Sequence, residues 1–332
     1  MRKKSLYSFL LFILFFSFAG CRAKSRIMPL EELTVLSDNH FECLYDGIRH
    51  DFIIDLPDEP EGAPLIVMLP GWGNLAESLR FSTHFSEDAN PHGYAVVYVT
   101  GARNKYERTG VIGWNSGIAA DGNDDVGFLI ALAKYLQNKY NFDYECTFAV
   151  GFSNGAFMIH RLAMEAGKTF SACVSVAGFM PEKIWNKRNK KNHVSFFQIT
   201  GEFDDVVPKH SDGTAAVTKN PAIEDVVEYW AFSNGLYASE ASLVAGSSTL
   251  TKWTYADEDR PKQTPKREGQ PVNAKNKALR FQKKSSQRLS DTPVQVWDLF
   301  IKDGRHSWPE KRISGIDINL LILDFFDQAT NK

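Results

Sequence analysis

Three short segments of the chain carry the residue types needed for nucleophilic attack on a carbonyl. The first is Gly151-Phe-Ser-Asn-Gly155, a G-x-S-x-G pattern. With Gly and Ser each near ~7% of average usage, a chain of this length contains it by chance about once in ten, so the pattern alone is weak. Its setting is more informative. The apolar run Thr147 to Val150 leads straight into it, and Met158, Ile159 and Leu162 follow at helical spacing. On a tight strand-to-helix turn a serine hydroxyl stands exposed at the carboxyl end of a sheet. Flanking glycines relieve the crowding there, and the helix N-terminus offers N–H groups to developing negative charge. The competing reading is a plain turn in which Ser153 caps the helix.

The second segment is Thr200-Gly-Glu-Phe-Asp-Asp-Val-Val-Pro208, where Asp204 or Asp205 leaves a strand end able to accept a hydrogen bond from an imidazole and fix its tautomer. The third, Asp303-Gly-Arg-His-Ser-Trp-Pro309, places His306 in a turn-prone loop. A lone histidine is ordinarily structural or simply exposed. A serine, an acid and a histidine in this order, each after a separate strand, make a far less probable coincidence.

The elements that must position these groups read as alternating strands and helices. Phe41 to Tyr45 and Arg49 to Leu56 flank Asp46-Gly47 and predict an opening hairpin. Pro64 to Leu69, Tyr94 to Val99, Thr147 to Val150, Cys173 to Val176 and Val194 to Thr200 read as buried strands, joined by Thr249 to Tyr255 and Val294 to Phe300. Helices fit Asp124 to Tyr140, the stretch after Gly155, Ala222 to Phe232 and Ile316 to Phe326. The pattern is that of an α/β protein with a mostly parallel central sheet and helices on both faces. It is expected to form a single domain over 40–330.

Five segments carry a specific likeness: Gly113-Trp-Asn115, Asp124-Asp-Val-Gly-Phe-Leu129, Gly151-Phe-Ser-Asn-Gly-Ala156, Gly201-Glu-Phe-Asp-Asp-Val-Val-Pro208 and Gly304-Arg-His-Ser-Trp-Pro309. In order and spacing they resemble the polyhydroxybutyrate depolymerase and feruloyl esterase branch of the α/β-hydrolases, whose chain order is also Ser, Asp, His. The resemblance runs from Phe41 to Phe326. It implies an α/β-hydrolase fold and an exported serine esterase, without cofactor, acting on polyester or on feruloyl or acetyl esters of plant polysaccharides. It makes Ser153 the nucleophile and His306 the base. Gly201-Glu-Phe-Asp204 takes the place of the family's Gly-Thr-Ala-Asp and selects Asp204 over Asp205. The family's His-Gly is Pro70-Gly71 here, and the oxyanion donors fall to the backbone N–H groups of Trp72 and Asn154. Trp114 and Trp308 lie in loops at the same end, where aromatic faces suit a feruloyl ring, a sugar or a polyester chain, with packing inside those loops as the equal alternative.

Composition narrows the remaining classes. With 43% hydrophobic, 13% aromatic and 23% charged residues the chain is an ordinary globular protein. Its net charge of -2 removes the usual motive for binding nucleic acid. Four cysteines are too few for a disulfide framework, and none has metal-ligand spacing with another Cys or His, so no metal is expected. Cys43, Cys146 and Cys173 fall in strands, where free thiols are the default and one disulfide remains open. Oligomeric state is not legible.

Residues 1–20 read as an export signal: Arg2, Lys3 and Lys4 precede the apolar run Phe9 to Phe16, too short to span a bilayer. Ser17-Phe-Ala-Gly-Cys21 resembles a bacterial lipoprotein cleavage box and predicts lipidation of Cys21, a linker over 21–39 and membrane anchoring in the cell envelope, with plain secretion as the alternative. A basic insertion at 257–290, rich in Lys, Arg and Pro, cannot bury enough surface to fold alone. Two other classes stay in view, a peptidase of the same fold and a non-catalytic glycan-binding lipoprotein.

Overall fold

Successive residues of a strand face opposite sides of its sheet, so a strand that is apolar at every position needs cover on both faces. Leu65–Leu69 and Ala95–Val99 are buried throughout. Ile66, Met68, Val96, Tyr98, Phe148 and Val150 join one hydrophobic cluster, and Leu65, Val67, Leu69, Val97, Val99 and Ala149 the other. The computed structural model describes residues 27–103, 110–119, 121–188, 193–207, 220–255 and 294–330.

In chain order the strands are β1 (Glu31–Val35), β2 (His40–Tyr45), β3 (Ile48–Asp55), β4 (Leu65–Leu69), β5 (Ala95–Val99), β6 (Ala102–Arg103), β7 (Ile112–Gly113), β8 (Thr147–Phe152), β9 (Ala172–Val176), β10 (Ser195–Gly201), β11 (Ala238–Leu243), β12 (Thr249–Thr254) and β13 (Val296–Ile301). Eleven of them form one sheet in the order β1-β2-β3-β5-β4-β8-β9-β10-β13-β12-β11, and β6 pairs with β7. The centre, β5 to β13, is parallel, whereas β1, β2 and β3 at one margin and β12 and β11 at the other are antiparallel. The expected parallel sheet is thus its central part. Antiparallel pairing takes over where short connections replace helical crossovers, as at Asp46-Gly47, both at positive φ.

The helices are α1 (Ala76–Thr83), α2 (Phe85–Ala89), α3 (Asp125–Tyr140), α4 (Asn154–Glu165), α5 (Glu182–Trp185), α6 (Ile223–Ser233), α7 (Lys311–Ser314) and α8 (Ile318–Thr330). α3, α4 and α6 cover one face through Leu129, Leu132, Met158, Leu162, Val226 and Trp230. α1, α2 and α8 cover the other through Leu79, Phe85, Ile322, Phe325 and Phe326. Asp124 caps α3, its side chain accepting the Gly127 N–H.

Eight of the described elements have no counterpart in the sequence expectation: β1, β6, β7, β11, α1, α2, α5 and α7. Residues 31–35, read as linker, form edge strand β1, exposed along its whole length. β11 is almost wholly exposed, and α1 buries only Ala76, Leu79 and Thr83 while Phe81 faces solvent, so neither carries a clear apolar period. α2 is a five-residue helix, too short for one. Residues 1–26 and the whole basic stretch 257–290 lie outside the described residues. The strands flanking that stretch, β12 and β13, are antiparallel neighbours. No helix among the described residues is long and apolar enough to cross a membrane.

Among the described residues two histidines are buried in the core. His50 stacks on Phe128 with ring centroids 3.6 Å apart, and its Nδ1 has no hydrogen-bond partner among the described residues. His160 lies against Phe196. Burial lowers the pKa of His50 to about 4 and that of His160 to about 3. Both are below the unfolded value, so the unfolded chain binds more protons over that window. Stability should therefore fall as pH drops from about 6.5 toward 4, at up to about 1.4 kcal/mol per pH unit for each imidazole. Thermal melts at pH 7 and pH 5 should show a smaller acid loss for His50→Phe than for the parent chain. Equal losses would mean that this imidazole does not charge on unfolding.

Candidate active site

β8 runs out of the sheet centre into α4, and the residue at the junction is Ser153, with φ 53° and ψ -117°. Such a backbone is rare for any residue but Gly and persists only where neighbours enforce it. The Ser153 N–H donates to Val176 O at 3.0 Å, and the Phe157 N–H donates to Ser153 O at 3.0 Å. Gly155 packs α4 against the preceding loop, since a Cβ there would lie 2.1 Å from Leu69 O. No side-chain capping bond forms at Ser153, so the plain helix-cap reading does not hold.

His306 follows β13. Its Nε2 lies 2.9 Å from Ser153 Oγ, and its Nδ1 lies 3.0 and 2.9 Å from the two Asp204 carboxylate oxygens. With Nδ1 donating to Asp204, Nε2 is left to accept the serine hydroxyl proton. Asp204 is 4% exposed, and its Oδ1 also accepts the N–H groups of Val206 and Val207 at 3.0 and 2.7 Å. The neighbouring Asp205 is exposed. Three residues from three strand ends therefore converge within hydrogen-bond reach, and the acid that joins them is Asp204.

The loop after β4 passes over the serine: a Cβ on Gly71 would sit 3.3 Å from Ser153 Cβ. The Gly73 N–H donates to Ile112 O and the Asn74 N–H to Gly71 O, whereas the Trp72 N–H has no backbone acceptor among the described residues. The Asn154 N–H lies in the first turn of α4, where helix geometry supplies no acceptor. Asn154 directly follows Ser153 in the chain, and Trp72 follows Gly71, which lies against Ser153.

The tryptophans divide. Trp72 is 46% exposed. Of the two readings open for Trp114, substrate contact and packing within the loop, the structure corrects the first: Trp114 is buried, its indole N–H donates to Pro70 O at 3.0 Å, and its ring fills the loop and presents no face to a ligand. Trp308 is half-buried, with its indole N–H on Asn319 and its ring edge-on to Phe85, and it likewise packs the loop. Sequence reasoning missed the polar contacts of Asn154 and Asp125 with the Trp114 segment. The Asn154 side chain accepts the Trp114 N–H, and Asp125 accepts the Asn115 N–H. The only sequence signal was Gly113-Trp-Asn115 itself.

A cavity of about 240 Å³ adjoins the histidine loop, lined by Arg305, Ser307, Glu310 and Ile313 among others but by none of Ser153, Asp204 and His306. Among the described residues no group of three or more His, Cys, Asp or Glu has the arrangement of a metal site. Cys43, Cys146 and Cys173 form no disulfide among the described residues, and burial pushes Cys43 up to about 12 and Cys173 higher still. Cys21 lies outside the described residues.

Residues 54–184 match the family of Esterase PHB depolymerases. NocK of Nocardia uniformis subsp. tsuyamanensis, assigned as an esterase, is 30% identical over 172 residues, which is 50% of this chain and 47% of that protein. The bifunctional acetylxylan esterase/xylanase XynS20E of Neocallimastix patriciarum is 25% identical over 149 residues, 44% of this chain and 20% of that protein. The chain thus spans less than half the length of either relative. Among solved structures, the acetyl xylan esterase from Aspergillus awamori superposes with a TM-score of 0.54 at 12% identity, covering 91% of this chain and all of that one. The chain has the α/β-hydrolase fold and, over residues 54–184, resembles the Esterase PHB depolymerase family.

Proposed function

We propose that the protein is an exported carboxylic ester hydrolase that works through a Ser153 acyl-enzyme. The observation that carries this reading is the unbroken chain of hydrogen-bond distances from Ser153 Oγ through His306 to Asp204. His306 takes the hydroxyl proton as Ser153 attacks the ester carbonyl, and Asp204 holds the ring and stabilises the imidazolium. The N–H groups of Trp72 and Asn154 receive the oxyanion. His306 then protonates the departing alcohol, and water releases the acyl group by the same route. Each preorganised donor is worth about 3 to 4 kcal/mol in the transition state.

The substrate class we propose is an ester of a polymer: an acetyl or feruloyl group on plant polysaccharide, or a polyester. The names of the acetylxylan relatives favour acetyl as the first to test. The resemblance to esterases and the family match over 54–184 favour ester cleavage over a peptidase of the same fold or a non-catalytic glycan binder. We further propose export through residues 1–20 and anchoring by lipid on Cys21, supported by the charge, apolar length and small residues of that stretch.

Ser153→Ala should abolish hydrolysis of p-nitrophenyl acetate and labelling by a fluorophosphonate while the melting temperature is retained. Undiminished turnover in that variant would sink the assignment. Asp204→Asn should lower kcat by about 10³- to 10⁴-fold with little change in KM, because it leaves the imidazole in the wrong tautomer. A loss below about tenfold would remove Asp204 from the mechanism. In a bacterial host fed a labelled fatty acid, the chain should take up label and Cys21→Ser should not. An unlabelled parent chain would leave plain secretion as the reading.

A further inference from the structure

We propose that Trp114 is a positioning residue that ties the two oxyanion donors into one hydrogen-bonded circuit, an inference that rests on the ester-hydrolase reading above. The circuit begins at Asn154, the residue after the nucleophile. Its side-chain Oδ1 accepts the Trp114 N–H at 2.7 Å, and its Nδ2 faces Trp114 O at 3.5 Å. From there the Trp114 indole donates to Pro70 O at 3.0 Å, two residues before Trp72. A parallel contact closes the loop: the Gly73 N–H donates to Ile112 O at 2.9 Å. The Trp72 ring lies directly on Gly113, where a Cβ would come within 2.4 Å of it. Residues 112–114 thus hold the loop of residues 70–73 on one side and the head of α4 on the other.

The circuit is buried and anchored from behind. Trp114 is 4% exposed and Asn154 6%, so bulk water does not replace a bond that is lost. Asp125 Oδ2 accepts the Asn115 N–H at 2.6 Å, and Arg161 Nη1 donates to Asn115 O at 2.5 Å. The peptide groups on either side of Asn115 therefore have fixed partners from α3 and α4. Pro70 itself offers no N–H and no polar side chain to hold the loop. Its carbonyl is the group available, and the indole takes it. The buried Trp of Gly113-Trp-Asn115 thereby gains a role in the reaction that does not require it to touch substrate.

Trp114→Phe keeps an aromatic ring, smaller than the indole, and removes the N–H. In this variant kcat for p-nitrophenyl acetate should fall by about tenfold or more, with KM within about twofold, in a chain that still melts cooperatively at a temperature lowered by the smaller ring and the unpaired Pro70 carbonyl. Affinity for phenylboronic acid, which binds serine as a tetrahedral anion, should fall by a similar factor. Asn154→Ala keeps its own backbone N–H and cuts the same circuit elsewhere, so it should do likewise. The double variant should lose less than the product of the two single losses. Wild-type kcat and boronate affinity in Trp114→Phe, or losses that multiply in the double variant, would overturn the proposal. Should Trp114→Phe not fold, Asn154→Ala decides alone by the same two readings. A parent chain inactive on every ester and unlabelled by fluorophosphonate would instead bring down the hydrolase reading, and this inference with it.

Discussion

The site depends on one strained residue. Ser153 sits at positive φ with ψ near -117°, a backbone that costs an L-residue about 1–3 kcal/mol and that it does not keep unaided. The strain is held from both sides. β8, buried from Thr147 to Gly151, pairs with β4 and β9 and fixes the chain before the turn. α4, buried from Asn154 to His160, fixes the chain after it. Between them the Ser153 N–H is spent on Val176 O, which ties the turn to the end of the neighbouring strand. Relaxing the turn would break contacts in the middle of the sheet, so the hydroxyl keeps its outward aim.

The other two groups need less strain because their loops are held to each other. The Glu202 N–H donates to Ile301 O at 3.0 Å and the Phe203 N–H to Gly304 O at 2.7 Å, which seams the acid loop to the histidine loop across β10 and β13. The Lys302 ammonium holds the Glu202 carboxyl below the usual carboxylate range, and the Asp303 N–H adds to that. That ion pair is at the surface, where such pairs add little stability, so the backbone bonds carry the seam. Its consequence is geometric. Asp204 and His306 are three and five residues beyond parallel strand ends that run in register from Phe196–Val296 to Gly201–Ile301, and they arrive together.

How much of this was legible in the sequence follows from burial. Runs such as Leu65–Leu69 and Ala95–Val99 announce themselves because both faces are covered and every position is apolar. β1, β11 and α1 do not, because their side chains largely face solvent and tertiary pairing alone decides their conformation. Ser153, Asp204 and His306 were legible as residue types at strand ends, and the choice of Asp204 over Asp205 came from the family resemblance. Trp114 was legible only as a tryptophan near the site. An indole has an apolar face and a single N–H, and sequence does not say which is put to use. Burial of the face and donation to Pro70 O answer that in three dimensions.

The paired acids at the head of α3 show how neighbouring identical residues take different work. Asp124 faces the helix start, accepts the Gly127 N–H at 3.0 Å and receives the Tyr45 hydroxyl at 3.3 Å. Asp125 turns inward and is 1% exposed, and burial pushes its carboxyl up to about 7 against the opposing pull of the Asn115 N–H and the Arg161 guanidinium. Its bond to the Asn115 N–H needs only an acceptor oxygen, which carboxylate and carboxylic acid both offer at Oδ2. The oxygen that anchors the Trp114 segment is thus Oδ2, while Oδ1 has no partner among the described residues.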